Sequence, residues 1–208
     1  MVSANLNTIA IRFPSHRVVR SILKSIDFPL AMPSANISSS ISPVNAEDVA
    51  EEFKKNIKFI LDGGKSKIGI ESTVIDLTGK PAILRPGIIS SKIINKILKI
   101  KINIKKKNSI ISSPGMLKKH YSPGIPLLLN QKISKGTNAF ITIGKQHKDK
   151  KNYFNLSKKS DLNEAASKLY ITLRKIKKLK FKKIYVVKIP NIGPGIAIND
   201  RLKRAAVK

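Results

Sequence analysis

The stretch Ala139-Phe-Ile-Thr-Ile143 and the later run Ile184-Tyr-Val-Val-Lys-Ile189 decide the fold of the second half of the chain. Both runs are short and apolar, which is typical of buried strands. Between them, Asp161 is placed to cap an amphipathic helix. The apolar face of that helix consists of Leu162, Ala165, Ala166, Leu169 and Leu173. The order strand, helix, strand predicts a small parallel-sheet domain, followed by a final helix at Ala197–Ala206.

Shorter apolar runs separated by loops make up the first half of the chain, in a mixed α/β pattern. The predicted strands are Asn7–Ile11, Leu30–Met32, Lys58–Leu61, Ser72–Leu77 and Ala82–Leu84. The last two are expected to pair across a turn at Gly79-Lys80. Three helices are predicted. The first follows Ser15, which is expected to cap it, the second follows Asn45, and the third follows Ser90 or Ser91.

A change in composition divides the chain into two units. The segment Lys105–Ser109 is lysine-rich, Ser112–Gly115 follows it, and neither shows hydrophobic periodicity, which is typical of a linker. We therefore predict a first α/β domain over residues 1–104, a linker over 105–125 and a second α/β domain over 126–208.

The composition excludes several classes of protein. The 208 residues include no Cys, which excludes a disulfide framework, a thiol nucleophile and a Cys-ligated zinc site. No apolar run is long enough to cross a bilayer, and the N-terminus does not resemble a signal peptide. The three histidines lack metal-ligand spacing. We expect a cytoplasmic protein with no membrane partner and no metal site of its own.

The strongly basic charge has two interpretations that the sequence leaves open. The formal net charge is +29, from 41 Lys and Arg against 12 Asp and Glu, and only seven of the basic residues are Arg. An excess of Lys together with Ile, Asn and Ser is expected of an AT-rich genome. So many positive charges would also attract the phosphates of a nucleic acid. The lysines form no regular stripe with interleaved aromatic residues, so they indicate no particular site.

Polar residues interrupt the apolar elements at several places. Arg12, at the end of a predicted strand, has two interpretations: it binds a carboxylate or phosphate through two hydrogen bonds, or its side chain simply extends into solvent. The loop Pro33–Asn36 suits either an anion site or an ordinary turn. The glycine-bearing loop before Ser72 is neither a P-loop nor a dinucleotide fingerprint. Arg85 ends a second strand, and His120–Pro123 lies in the predicted linker.

In this order and spacing, the motifs resemble the threonylcarbamoyl-AMP synthase family. They are Thr8–His16 (TIAIRFPSH), Pro33–Asn36 (PSAN), Ser42-Pro43, Glu71–Asp76 (ESTVID), Leu84–Gly87 (LRPG) and His120–Pro123 (HYSP). The second half, with Asp161–Ala166 and Ala197–Ala206, is similar to the accessory domain of the family's long form. The resemblance implies an α/β fold class: a truncated YrdC-like mixed-sheet catalytic domain, a linker, and a small Rossmann-like α/β domain.

The resemblance also implies an activity. Such nucleotidyltransferases condense L-threonine, bicarbonate and ATP into threonylcarbamoyl-AMP and pyrophosphate, which serves threonylcarbamoyladenosine modification of tRNA. Mg²⁺ is expected only with ATP, and no cofactor is expected to be tightly bound. The implied partners are these substrates, the tRNA-modification machinery, and tRNA or double-stranded RNA. The residues agree with this chemistry, because a carbamate that attacks an α-phosphate needs positioning, fixed positive charge and exclusion of water rather than a strong base.

Site residues follow from the same resemblance. In the threonine site, Arg12 would hold the carboxylate, Ser72 would complete the pocket, and the backbone near Met32 would line it. Arg85 would lie against the phosphates and Tyr121 would close over the nucleotide. The implied ATP-binding set is Thr8, Ser34, Asn36, Ser42, Arg85 and Tyr121, in which Asn36 supports the Ser34 loop.

One feature departs from the family pattern. Ahead of the strand that matches Asn7–Ile11, family members carry a segment with a threonine-contacting Thr and phosphate-binding Lys and Arg, and none of these can be placed in this sequence. We therefore expect the first domain to expose apolar surface and to lack its main cationic contact with phosphate. Three hypotheses stay open. The chain is part of a functional synthase, through a misplaced start codon or a separately encoded N-terminal segment, or it is an inactive gene fragment, or an RNA-binding remnant.

Overall fold

The chain folds as a mixed α/β protein with two sheets. The computed structural model describes residues 7–105, 120–147 and 150–207. Its elements are α1 (Arg17–Lys24), α2 (Ala46–Phe53), β1 (Val74–Asp76), β2 (Ala82–Arg85), α3 (Ser91–Leu98), β3 (Asn103–Ile104), β4 (Leu127–Leu128), β5 (Ala139–Thr142), β6 (Tyr153–Asn155), α4 (Leu162–Lys178), β7 (Ile184–Val186) and α5 (Pro194–Ala205). A short 3₁₀ turn, Lys54–Asn56, follows α2. The predicted α/β fold class is confirmed.

The second half of the chain contains the parallel sheet that the sequence predicts. Its strand order is β4-β7-β5-β6, and every neighbouring pair is parallel. In the middle of the sheet, Phe140 of β5 is paired with Tyr153 of β6 and with Tyr185 of β7. All four residues of β5 are buried, as expected for a parallel strand that is covered on both faces. The short strands β4 and β6 have no counterpart in the sequence-based prediction.

Helices α4 and α5 cover this sheet and contact each other. The predicted cap of α4 is confirmed, because the Asp161 carboxylate accepts hydrogen bonds from the backbone N–H groups of Asn163 and Glu164. The predicted apolar face is buried except for Leu162, which is half-buried. Helix α5 begins at Pro194, three positions before the predicted start, and proline at a first helical position suits the helix geometry.

A smaller sheet, of order β1-β2-β3, lies in the first half. β1 and β2 pair antiparallel, which confirms the predicted strand pair, and β3 is parallel to β2. Ile83, Ile94 and Ile102 form a small buried cluster beside it. The helix predicted after Asn45 is confirmed as α2, with the Asn45 side chain accepting from the Asp48 N–H at 2.9 Å. The helix predicted after Ser90 or Ser91 is α3.

Three predicted strands and one predicted cap are wrong. Residues Asn7–Ile11, Leu30–Met32 and Lys58–Leu61 form no strand. A strand needs neighbours for its backbone hydrogen bonds, and within the described residues these runs have no pairing partner. α1 begins at Arg17 after His16, and no side chain caps it, so Ser15 is not its cap. The predicted exposure of apolar surface in the first domain is confirmed. The exposed residues include Ile9, Ile11, Phe13, Phe28 and Met32, with Phe13 93% exposed.

Most of the predicted linker lies outside the described residues, since residues 106–119 belong to the undescribed part. The described end of the linker lies against the first half of the chain. Ser122 forms a parallel bridge with Ser40, and its N–H donates to the Ser39 carbonyl at 2.8 Å. Among the described residues, no helix is both long and apolar enough to cross a membrane.

Candidate functional site

Glu71, three positions before β1, lies at the centre of a buried polar cluster between the two halves of the chain. Its Oε1 accepts a hydrogen bond from Ser42 Oγ at 2.6 Å. Its Oε2 accepts from the Tyr170 hydroxyl of α4 and from Arg201 Nε of α5, each at 2.8 Å. One carboxylate therefore joins the loop before α2, the segment before β1 and helices α4 and α5 of the second half.

The charges in this cluster compensate one another. Burial by itself raises the pKa of Glu71, but the Arg201 guanidinium and three hydrogen bonds outweigh it, so that the pKa lies below its ordinary value. Burial likewise lowers the pKa of Arg201, yet Glu71 opposes it and the net shift is upward. Arg201 also donates to the Asp200 carboxylate at 2.8 Å. Both groups of the central pair therefore stay charged at neutral pH.

Tyr121, the linker residue predicted to close over the nucleotide, is packed against this cluster and is 1% exposed. Its ring stacks on Tyr170 with 5.6 Å between centroids, and the Arg201 guanidinium carbon lies 5.2 Å from the Tyr121 ring centroid. Burial, followed by the negative charge of Glu71, raises the pKa of Tyr121, so its hydroxyl is neutral at neutral pH. Its backbone is in the left-handed region, with φ of 62°.

The neighbouring His120 is half-buried in the same place. Its ring meets Tyr121 edge to face, with 4.0 Å between centroids. Burial lowers the pKa of His120; Glu71 opposes the shift, and the positive charges of Arg204, Arg85 and Arg201 add to it. The imidazole is therefore neutral at neutral pH.

Arg85 lies at the end of β2 and is only 5% exposed. Its Nε donates to the Ser72 carbonyl at 3.1 Å, which joins the LRPG and ESTVID motifs. Burial is the main reason that the pKa of Arg85 lies below its ordinary value. An arginine keeps its charge under such conditions, so Arg85 is a fixed cation beside the backbone of Ser72.

Asn36 is buried and stabilises the loop that leads to Ser42. Its Nδ2 donates to the Ile37 carbonyl at 2.8 Å and to the Ser40 carbonyl at 3.3 Å. Within the described residues, the buried Oδ1 atom of Asn36 has no hydrogen-bond partner. The structure thus brings Asn36, Ser42, Arg85 and Tyr121 into one region of the molecule, together with the backbone of Ser72.

The other predicted site residues lie outside this cluster. Thr8, Arg12, Met32 and Ser34 are exposed, and none of them makes a hydrogen bond or ion pair within the described part of the chain. Their assignment to the threonine and ATP sites stays a prediction. In the described ranges, no group of three or more His, Asp or Glu residues is arranged to hold a metal ion.

Four residues of this region have no role predicted from the sequence: Glu71, Tyr170, Arg174 and Arg201. Arginine is rare here, with seven among 41 basic residues. Arg85, Arg201 and Arg204 are buried, and Arg174 is mostly buried. These four arginines suit buried hydrogen bonding because a planar guanidinium makes several hydrogen bonds at once, whereas Arg12, Arg17 and Arg20 are exposed.

Two protein-family models together match nearly the whole chain. A family model described as "Telomere recombination" (Sua5/YciO/YrdC) matches residues 1–87. A second, described as "Threonylcarbamoyl-AMP synthase, C-terminal domain", matches residues 89–207. These two matches meet between the LRPG motif and α3.

Curated relatives and a solved structure agree with these matches. The threonylcarbamoyl-AMP synthase of Pyrococcus abyssi is 31% identical and aligns with 99% of this chain and 66% of its own length. That of Bacillus subtilis is 32% identical, with 99% and 65% covered. The crystal structure of P. abyssi Sua5 complexed with L-threonine has a TM-score of 0.86 and 31% identity, with 98% of this chain and 65% of that chain covered. The chain spans about two thirds of the length of these relatives.

Proposed function

The chain belongs to the threonylcarbamoyl-AMP synthase family, and we propose that it catalyses the formation of threonylcarbamoyl-AMP. In the proposed reaction, the amine of L-threonine takes up the carbon of bicarbonate to form a carbamate, and water is released. A carbamate oxygen then attacks the α-phosphorus of ATP, the bond between the α- and β-phosphates breaks, and pyrophosphate leaves. Mg²⁺ enters with ATP as part of that substrate.

One observation carries the proposal: Ser42, Arg85 and Tyr121 are held together by a single charged cluster. Arg85 supplies a fixed positive charge, and such charge stabilises the negative charge that develops on phosphate in the transition state. Tyr121 contributes a neutral hydroxyl and a ring that excludes water. The homologous P. abyssi structure, which is complexed with L-threonine, also supports the proposal.

Roles for the separate residues follow from this proposal. Arg12, Ser72 and the backbone near Met32 bind threonine, and the exposed Arg12 is free to pair with its carboxylate. The ATP-binding residues are Thr8, Ser34, Asn36, Ser42, Arg85 and Tyr121. We propose that the product serves threonylcarbamoyladenosine modification of tRNA and that the chain acts in the cytoplasm.

The test is release of pyrophosphate from ATP by the purified 208-residue chain, with L-threonine and bicarbonate omitted in turn. We expect release that needs both substrates. Arg12→Ala should raise the threonine concentration needed for half-maximal release, and Arg20→Ala is the matched control because Arg20 is another exposed arginine in the same half of the chain. Release of pyrophosphate that does not depend on threonine would contradict the proposal. Absence of release would favour the hypothesis that the chain is an inactive gene fragment.

Binding of RNA is the second candidate function, and it rests on a different observation. The net charge is +29. An open cleft of about 320 Å³ is lined by Lys65, Ser66, Lys67, Ser167, Lys168 and Ile171. Lysines at such a cleft suit contacts with phosphates. If RNA binds there, the affinity for tRNA falls steeply with salt, and exchanging Lys65, Lys67 and Lys168 for Gln reduces that salt dependence. An unchanged dependence would exclude this cleft as the RNA site.

A further inference from the structure

We infer that Arg174 of α4 is a positioning residue that fixes the loop carrying Ser42, and that the second half of the chain thereby controls the affinity for ATP. The part of this inference that concerns ATP rests on the proposed function. The part that concerns the loop rests on contacts alone.

Arg174 binds the backbone of this loop directly. Its Nη2 donates to the Ile41 carbonyl at 2.7 Å, and its Nε donates to the Ser42 carbonyl at 3.3 Å. The side chain is 12% exposed, so water competes little for these carbonyl groups. One guanidinium therefore binds two consecutive carbonyls. The position of Ser42 Oγ beside Glu71 depends on these two hydrogen bonds.

Arg174 also fixes both ends of the loop through two carboxylates of α2. Its Nη2 lies 2.7 Å from Glu52 Oε2, and its Nε lies 3.6 Å from Asp48 Oδ2. The other oxygen of Glu52 accepts from the Ile37 N–H at 2.8 Å, and Asp48 Oδ2 accepts from the Val44 N–H at 3.0 Å. Because the positive charge of Arg174 lies beside both carboxylates, it stabilises the acceptors that hold residues 37 and 44.

Only an arginine makes this set of contacts. A lysine in its place has one nitrogen and cannot serve two carbonyls and two carboxylates in a fixed planar geometry. The predicted threonine residues Arg12, Met32 and Ser72 lie in other segments of the chain. Loss of Arg174 should therefore weaken ATP binding and leave threonine binding nearly unchanged.

The experiment compares Arg174→Lys and Arg174→Ala with Lys178→Ala. Lys178 is the matched control, because it lies one turn further along α4 and pairs with Glu51 of α2 at 2.7 Å, but both partners are more than half exposed. Hydrogen exchange of the peptide covering residues 37–44 measures the loop. Calorimetric titration measures ATP and L-threonine binding separately, and thermal unfolding shows that each variant is folded.

We expect both Arg174 variants to exchange faster in residues 37–44 than Lys178→Ala does. We expect their affinity for ATP to fall about ten- to a hundredfold while that for threonine changes less than about twofold. Arg174→Lys keeps the positive charge, and it allows the same measurements if Arg174→Ala does not fold. Exchange no faster than in Lys178→Ala would overturn the inference, whatever happens to ATP.

Equal weakening of ATP and threonine binding would also overturn it, since a merely structural role acts on both ligands. If the unaltered chain binds no ATP, the proposed function fails, and the inference fails with it as far as ATP is concerned. Faster exchange in the Arg174 variants would then support the control of the loop alone.

Discussion

Glu71 and Arg201, which are 130 positions apart in the sequence, form a buried ion pair with 2.8 Å between Oε2 and Nε. The Arg201 side chain is 1% exposed and the Glu71 side chain is 19% exposed. Since Glu71 directly precedes Ser72, and Arg201 belongs to α5, the pair attaches the ESTVID motif to the last helix of the chain. Removal of Arg201 leaves the Glu71 carboxylate without its cation, and removal of Glu71 leaves Arg201 with Asp200 as its carboxylate partner, so either loss is costly.

Replacement of Glu71 should strongly destabilise the protein. Glu71→Ala leaves Arg201 without its main partner and two donors, Ser42 and Tyr170, without their acceptor. We expect the free energy of unfolding to fall by about 3–5 kcal/mol. Urea denaturation measures this, with Glu51→Ala as the control, because the Glu51–Lys178 pair is exposed and should contribute little to stability. Equal effects of the two substitutions would contradict the central place of Glu71.

The stability should depend on pH through Glu71. Its pKa in the folded protein lies below the ordinary value of 4.5, so the unfolded chain binds the proton first as the pH falls. The stabilisation by Glu71 is therefore complete above the unfolded value of 4.5 and is lost as the pH falls from there through the lower folded value. The difference in unfolding free energy between the unaltered chain and Glu71→Gln should shrink over this range. A difference that stays constant with pH would show that Glu71 is not charged in the folded protein.

Gly87 should tolerate no side chain. A Cβ there would lie 2.6 Å from the Ser72 carbonyl carbon and 2.8 Å from the backbone carbonyl oxygen of Glu71, and closer still to the backbone nitrogen of Thr73. Because backbone atoms cannot yield as a flexible side chain does, Gly87→Ala should cost about 1–3 kcal/mol.

Gly79→Ala is the control for this substitution, since no atom lies within 4 Å of the Cβ position and the φ of Gly79 is not positive. It should leave stability unchanged or raise it by less than about 1 kcal/mol. Thermal and urea unfolding of both variants provide the measurement. A Gly87→Ala variant as stable as Gly79→Ala would contradict the close packing of the LRPG and ESTVID motifs.

If the proposed function holds, Arg85→Ala should slow product formation by roughly ten- to a thousandfold, because a fixed charge near the phosphates is lost. Arg85→Lys keeps a charge but loses the hydrogen bond from Nε to the Ser72 carbonyl, so an intermediate rate is expected. The measurement is the rate of pyrophosphate release at saturating substrates, with Arg17→Ala as an exposed control. A nearly unaltered rate in Arg85→Ala, with the fold intact, would reduce Arg85 to a structural role.

Local patterns account for much of the fold. The buried strands β5 and β7, the Asp161 cap of α4 and the Asn45 cap of α2 are all visible in the sequence, because each depends on residues only a few positions apart. The strand predicted at Asn7–Ile11 shows the limit of such patterns. An apolar run becomes a strand only when another strand satisfies its backbone groups, and the run itself carries no information about that partner.

The sequence by itself determined the fold class, the family and the motifs that the proposed site uses. Only the tertiary structure decided that Glu71 binds Ser42, Tyr170 and Arg201, and that Arg174 holds the backbone at Ser42. These residues come from four separate segments, and they meet because α4 and α5 pack beside the first half of the chain. Contacts of this kind depend on the packing of distant elements, whereas periodicity, capping and turn signals report only on neighbours along the chain.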